Sequence, residues 1–178
     1  MSDTPTRAAA FDLSRARPAP LFDRFVARLI DDVVLFAVNW SLLLVTVAAV
    51  VTFSNEDDLS TAASAAIRVS SGVFGAAIYL GYFTYFESRR GRTLGKTVMK
   101  LRTIGPDDGL PTTEQAARRN LWMGFPLLAI IPGIGGLLAL VVAFGASISI
   151  AMGIGGDAKG RQAWHDHFAG GTRVVKLP

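Results

Sequence analysis

With 178 residues the chain is long enough for one domain and hardly two. A mean hydropathy of +0.38 with 51% hydrophobic residues argues against a soluble domain, because the apolar residues are gathered in three long uncharged runs. The absence of cysteine excludes disulfides, thiolate nucleophiles and cysteine-bound metals. The net charge of +4 does not point to nucleic acid, since the basic residues flank the apolar runs.

Residues 1–20 carry Arg7, Arg15 and Arg17 among Pro and Ala, without the apolar core of a secretory signal, and read as a mobile tail. In LFDRFVARLIDD, residues 21–32, large apolar residues fall at 21, 22, 25, 26, 29 and 30, a helical stripe. The other face carries Asp23, Arg24, Arg28, Asp31 and Asp32. The pattern predicts an amphipathic helix at the membrane interface, either separate or the first turns of the span behind it. Residues 33–53 run 21 long without a charge and residues 69–86 run 18, close to the roughly 20 needed to cross a hydrocarbon core of about 30 Å. The aromatic residues Phe83, Tyr85 and Phe86, with Trp122 at the next entry, read as interfacial.

A loop over 87–119 follows, and residues 120–156 then run 37 long without a charge. A straight helix of that length would extend about 55 Å, too far for one crossing, and IIPGIGG at 130–136 interrupts it. The run therefore predicts two helical arms, a hairpin or re-entrant pair. LRTI in the loop and TRVVKL in the tail 157–178 have strand character and can pair as a small β ribbon beneath the membrane.

Lys and Arg distribution sets the orientation. Residues 1–32 hold five, 87–119 hold eight and 157–178 hold four, whereas 54–68 hold only Arg68 beside Glu56, Asp57 and Asp58. The three basic segments are expected inside and the acidic loop outside, which places both termini in the cytoplasm.

Three features carry chemistry. At the mouth of the first span, Asp31 and Asp32 lie three and four residues beyond Arg28, so both carboxylates can reach one guanidinium. That cluster is either an interfacial anchor or, because ionisable groups at a membrane span are costly, a proton or cation site. GRTLGKT at 91–97 approaches a phosphate-binding loop, but only three residues separate Gly91 from Gly95 where the motif needs four, and Arg90 stands where its first glycine would be. WHDHF holds His165, Asp166 and His167; with no further histidine a metal site there is incomplete.

RLIDD at 28–32, GRTLGKTVMKLRTI at 91–104, RRN at 118–120 and RQAWHDHFAGGTRVV at 161–175 occur in that order, and together they resemble the RDD family of bacterial membrane proteins. The resemblance implies that Arg28, Asp31 and Asp32 are the family's arginine and two aspartates. It implies that Gly91, Thr93, Gly95 and Lys96 form a membrane-loop element that binds no nucleotide. Arg102, Arg119, Asn120 and Arg161 take the remaining motif positions with the His165–Asp166 pair, where Asp166 would orient the imidazole or hold Arg161. The chain departs from the family pattern at AGGT, usually AGT, and at Thr97 and Lys100, where a basic residue and a glycine are more usual.

The expectation is an all-α polytopic protein of the bacterial inner membrane: a tail over 1–20, one RDD-type membrane domain over 21–178, an amphipathic lead-in helix and a β ribbon. No enzyme site, metal or cofactor is expected. Two functions are open. One is transport or exchange of cations or protons, which the resemblance implies for some members and which a homo-oligomer would favour. The other is a non-transporting scaffold or accessory protein that recruits partners through its basic inner face. Membrane lipid is an expected partner; nucleic acid and nucleotide are not.

Overall fold

The computed structural model describes residues 13–53 and 62–178. Most of the expected tail (1–12) and the acidic residues Glu56, Asp57 and Asp58 lie outside the described residues.

Helix α1 runs unbroken over Leu21–Phe53, so the amphipathic lead-in and the first span are one object. Its 33 residues make about 50 Å of helix, more than a core of about 30 Å can cover, and the surplus is the charged first turns. Ala27, Asp31 and Leu35 are buried at four-residue intervals on one face, while Phe22, Phe25, Leu29 and Val33 are 52–71% exposed. The large apolar side chains thus point outward, the reverse of a soluble helix and the arrangement that hydrocarbon solvates.

Helix α2, Ala62–Arg90, packs on α1 and more extensively on the segment Leu121–Ile130. Gly72 and Gly75 allow that approach: a Cβ at Gly72 would stand 2.7 Å from Ile130 and one at Gly75 3.1 Å from Pro126. Leu121–Ile130 is a 3₁₀ helix with Pro126 inside it. Its ten residues reach about 20 Å at about 2 Å each, too short to cross. Helix α5, Gly135–Gly156, returns with 22 residues, about 33 Å. Of the described helices, α1, α2 and α5 are long and apolar enough to span a membrane, and the run 120–156 resolves into one short arm and one full-length arm.

The connecting segments gather at one end. Helix α3 (Leu94–Val98), strand β2 (Leu101–Ile104) and helix α4 (Thr113–Asn120) follow α2, and α6 (Trp164–Phe168) and β3 (Arg173–Lys176) follow α5. A reciprocal Thr112–Gln115 capping box starts α4. The expected ribbon is present as an antiparallel β2–β3 pair with Arg102 opposite Val175. It has a third strand the sequence did not announce: Arg17–Pro18 (β1) pairs with Lys176–Val175, giving the order β1-β3-β2. The end of the leader is therefore docked, with Ala19 fully buried beside Ala27, Leu101 and Val174. Since β1 precedes α1, β2 follows α2 and β3 follows α5, one sheet ties the base of the helices together.

Two departures from the family pattern are accommodated here. Lys100 adopts φ +56, and Gly170 and Gly171 adopt φ +81 and +90, a left-handed region that glycine enters without steric cost. That explains why a glycine is usual at position 100. The second glycine of AGGT completes a turn without loosening β3, which keeps its full pairing with β2.

Candidate functional site

Charged residues from each of the four motifs meet between the helices and the sheet, around four carboxylates. Asp31 joins three helices. Its Oδ1 accepts from the Tyr82 hydroxyl at 2.7 Å and the Gly95 N–H at 2.8 Å, and its Oδ2 accepts from the Thr93 hydroxyl at 2.6 Å. Thr93 also caps α3 by accepting the Lys96 N–H at 3.3 Å. Gly95 is required by contact: a Cβ there would collide with the backbone carbonyl of Ala27. GRTLGKT is thus the loop that docks α3 against α1, with its backbone turned to a carboxylate.

The expectation that one guanidinium binds both aspartates is corrected here. Arg28 pairs with Asp32 alone, Nε to the carboxylate oxygens at 3.1–3.2 Å, while Asp31 points to α2 and α3. A four-residue step on α1 carries Asp32 to Arg28, and the three-residue step turns Asp31 to the buried face beside Ala27 and Leu35. The Arg28 guanidinium also lies 4.2 Å from the Phe83 ring centroid, 5.3 Å from Trp122 and 5.9 Å from Tyr79, with Nη1 3.3 Å from the Met123 sulfur. Phe83 and Trp122 therefore support a partly buried cation; Phe83 packs with Leu35 and Met123 in the interior and is not interfacial.

Glu87, buried at the end of α2, binds Lys96, accepts from Asn120 Nδ2 at 3.0 Å and meets Arg119 Nε at 3.4 Å. Lys96 also donates to Thr103 at 2.7 Å. Asp166 is fully buried against Arg119, which donates to Thr172 as well at 3.1 Å. Asp166 accepts the Ala163 N–H at 3.1 Å and has Arg24 at 3.9 Å. Its cations are thus Arg119 and Arg24, not the expected Arg161, which sits in the loop before α6. Gly91 ends α2 with φ +67 and its carbonyl receives the Thr103 N–H at 2.6 Å. Arg102 lies buried on β2, opposite Val175 of β3.

Sequence reasoning missed Glu87, Tyr82, Thr172 and Arg24. Glu87 carried a usable signal: a lone acid in the last turn of a helix is electrostatically misplaced unless cations hold it, and here Lys96 and Arg119 do. The others are ordinary polar residues whose roles exist only in three dimensions.

Burial lowers the Lys96 ammonium from its ordinary value, against the pull of Glu87. Burial alone would raise Asp166, but its neighbours, Arg119 foremost, hold it below the usual carboxylate value. Burial and then the Arg119 charge push His165 down to about 3, so its ring is neutral at pH 7. An unfolded histidine binds a proton below about pH 6.5, and folded His165 does not until far lower. The unfolded state therefore holds the extra proton in that window, and stability is expected to fall by about 1–2 kcal/mol between about pH 7 and about pH 5. Thermal unfolding in detergent across that range measures it. His165→Gln should flatten the dependence; an unchanged slope would assign it to another group.

Above this base, α1 and α5 diverge and leave a cavity of about 880 Å³. Leu29, Val33 and Phe36 of α1 and Phe144, Ala151 and Ile154 of α5 line its walls, and Arg24, Arg28, Asp32, Lys96, Arg119 and His165 lie toward its charged end. No group of three or more His, Asp or Glu side chains is placed to hold a metal among the described residues.

Comparison with known proteins agrees with these motifs. Neither the curated proteins nor the solved structures contain a match. The sequence profile of the RDD family matches residues 18–170, from the first strand to the turn before the last. With that match over most of the chain and its apolar helices long enough to span a membrane, this membrane protein belongs to the RDD family.

Proposed function

We propose that the protein is a non-enzymatic, multi-pass protein of the bacterial cytoplasmic membrane, with both termini in the cytoplasm, that exchanges a small cation or proton at Asp32. One observation carries the reading. Asp31, Glu87 and Asp166 are buried and engaged by three or more groups each, whereas the Asp32 side chain is 40% exposed, lines the cavity and has Arg28 as its ion-pair partner. A carboxylate held by arginine carries a proton or cation poorly unless the pair can part. Here it can part, because the rings of Phe83, Trp122 and Tyr79 continue to stabilise Arg28.

A route is supported by spacing. Asp32, Asn39 and Thr46 recur every seven residues on α1 and so share a face to within about 20° per step. Asn39 and Thr46 line a second cavity of about 170 Å³ with Ser71, and Phe36 lines both cavities. Phe36 is then the barrier between an inner and an outer vestibule. The orientation rests on the shared sheet and the basic segments beside it. Four apolar segments enclose a path more readily in a homo-oligomer, and GRTLGKT, committed to Asp31 and Glu87, is free for no nucleotide.

Proton flux driven by a sodium or potassium gradient in liposomes tests the reading. Asp32→Asn is expected to abolish flux with membrane abundance unchanged. Full flux in that variant would remove Asp32 from the path. No flux with either cation in the wild type would favour the scaffold function through the exposed basic residues Arg89, Arg90, Lys100 and Arg118.

A further inference from the structure

The large cavity has two unlike halves. From Arg24 to Phe36 it follows α1 for about 18 Å, close to the depth of one leaflet of a core about 30 Å thick. Along that length its apolar wall comes from Leu29, Val33 and Phe36 of α1 and from α5, which barely meet, while Arg28 and Asp32 also face it. Around the cavity, the lining residues Arg24, Trp122 and His165 carry buried nitrogens without a hydrogen-bond partner, Nη1, Nε1 and Nδ1, and Asp32 Oδ1, ion-paired to Arg28, also lacks a hydrogen bond. The Arg24 and His165 side chains are 9% and 7% exposed. Arg24 uses Nε and Nη2 on the carbonyls of Ala19 and Val174 at 3.2 and 3.3 Å, and the nearest Asp166 oxygen to Nη1 is 3.9 Å away.

A buried donor without an acceptor is costly, and Arg24 Nη1 and Trp122 Nε1 beside one cavity call for a ligand that brings acceptor oxygens. The ligand must also present hydrocarbon to the walls. We propose that this cavity binds one anionic glycerophospholipid from the leaflet on the sheet side, its phosphate at Arg24 and Trp122 and one acyl chain lying between α1 and α5. A phosphate diester offers an acceptor oxygen and a negative charge to the one guanidinium nitrogen that Arg24 leaves unused. A quaternary ammonium headgroup would instead enter a neighbourhood that already holds Arg24, Arg28, Lys96 and Arg119, where Asp31, Glu87 and Asp166 are engaged by protein donors. This site stands independently of exchange at Asp32, and its test reads lipid binding rather than flux.

Native mass spectrometry and thermal unfolding of the delipidated full chain, with dioleoylphosphatidylglycerol or dioleoylphosphatidylcholine added, decide the matter. The expected result is one retained phosphatidylglycerol at about tenfold higher affinity than the choline lipid, with a raised unfolding temperature. Ala151→Trp should fill the hydrocarbon wall and lower retention at least about tenfold. Trp122→Phe keeps the ring beside Arg28 but removes the donor, and should weaken retention about three- to tenfold; it decides the case if the Ala151 variant does not fold. Equal retention of the choline lipid would overturn the site. So would unchanged binding in both variants, displacement by glycerol phosphate alone at comparable concentration, or a second copy of the chain in the cleft, seen as a dimer that Ala151→Trp dissolves.

Discussion

Asp31→Ala is expected to destabilise the protein by about 3–5 kcal/mol, whereas Asp32→Ala should cost about 1 kcal/mol or less. The two neighbours differ in what they leave behind. Without Asp31, the Tyr82 hydroxyl, the Thr93 hydroxyl and the Gly95 N–H lose their acceptor inside a buried junction of α1, α2 and α3. Hydrogen bonds to a charged acceptor are among the stronger ones, and stranded buried donors bear the full desolvation cost. Without Asp32, Arg28 loses a half-exposed partner one helical turn away and keeps its rings. Thermal unfolding in detergent, with membrane abundance as a second readout, separates the two. Equal losses would mean that both carboxylates serve Arg28 after all.

Arg119→Ala is the second large expected effect, also about 3–5 kcal/mol. This one guanidinium touches Asp166, Thr172 and Glu87, so its removal leaves two buried carboxylates undercompensated. Arg119→Lys should restore little, since a single ammonium cannot span the positions that a planar fork reaches. Arg119→Ala combined with Asp166→Ala should cost less than the sum of the single changes by at least about 1 kcal/mol. Strict additivity in that unfolding cycle would show that the pair, for all its proximity, is not coupled.

The contrast between these positions shows what a sequence can disclose about this fold. Uncharged runs marked all three long helices, because lipid demands apolar side chains around a whole helix and leaves that demand visible as length. The strands LRTI and RVVK were legible from β-branched and apolar residues beside turn signals. Arg17–Pro18 was not, since two residues have no periodicity and pair only because β3 offers an edge. The Pro-Gly break announced two arms after Asn120 but not that the first would wind as a 3₁₀ helix. At the site, the motif residues identified the right neighbourhood. Spacing alone allowed Asp31 and Asp32 the same partner; Thr93 and Gly95, more than sixty positions away, decide between them.

The three-stranded sheet also has a consequence in time. Strand β3 leaves the ribosome roughly 8–30 s after β1, at about 5–20 residues per second. Through that interval α1 and α2 can already be in the bilayer while Arg24 and Arg119 await Asp166, which arrives with α6. A chain broken off before Arg173 would keep its long helices yet leave the edges at Arg17–Pro18 and Leu101–Ile104 unpaired. Open backbone of that kind is what a membrane protease can grip, so until β3 arrives the base of the helices stays open to cleavage.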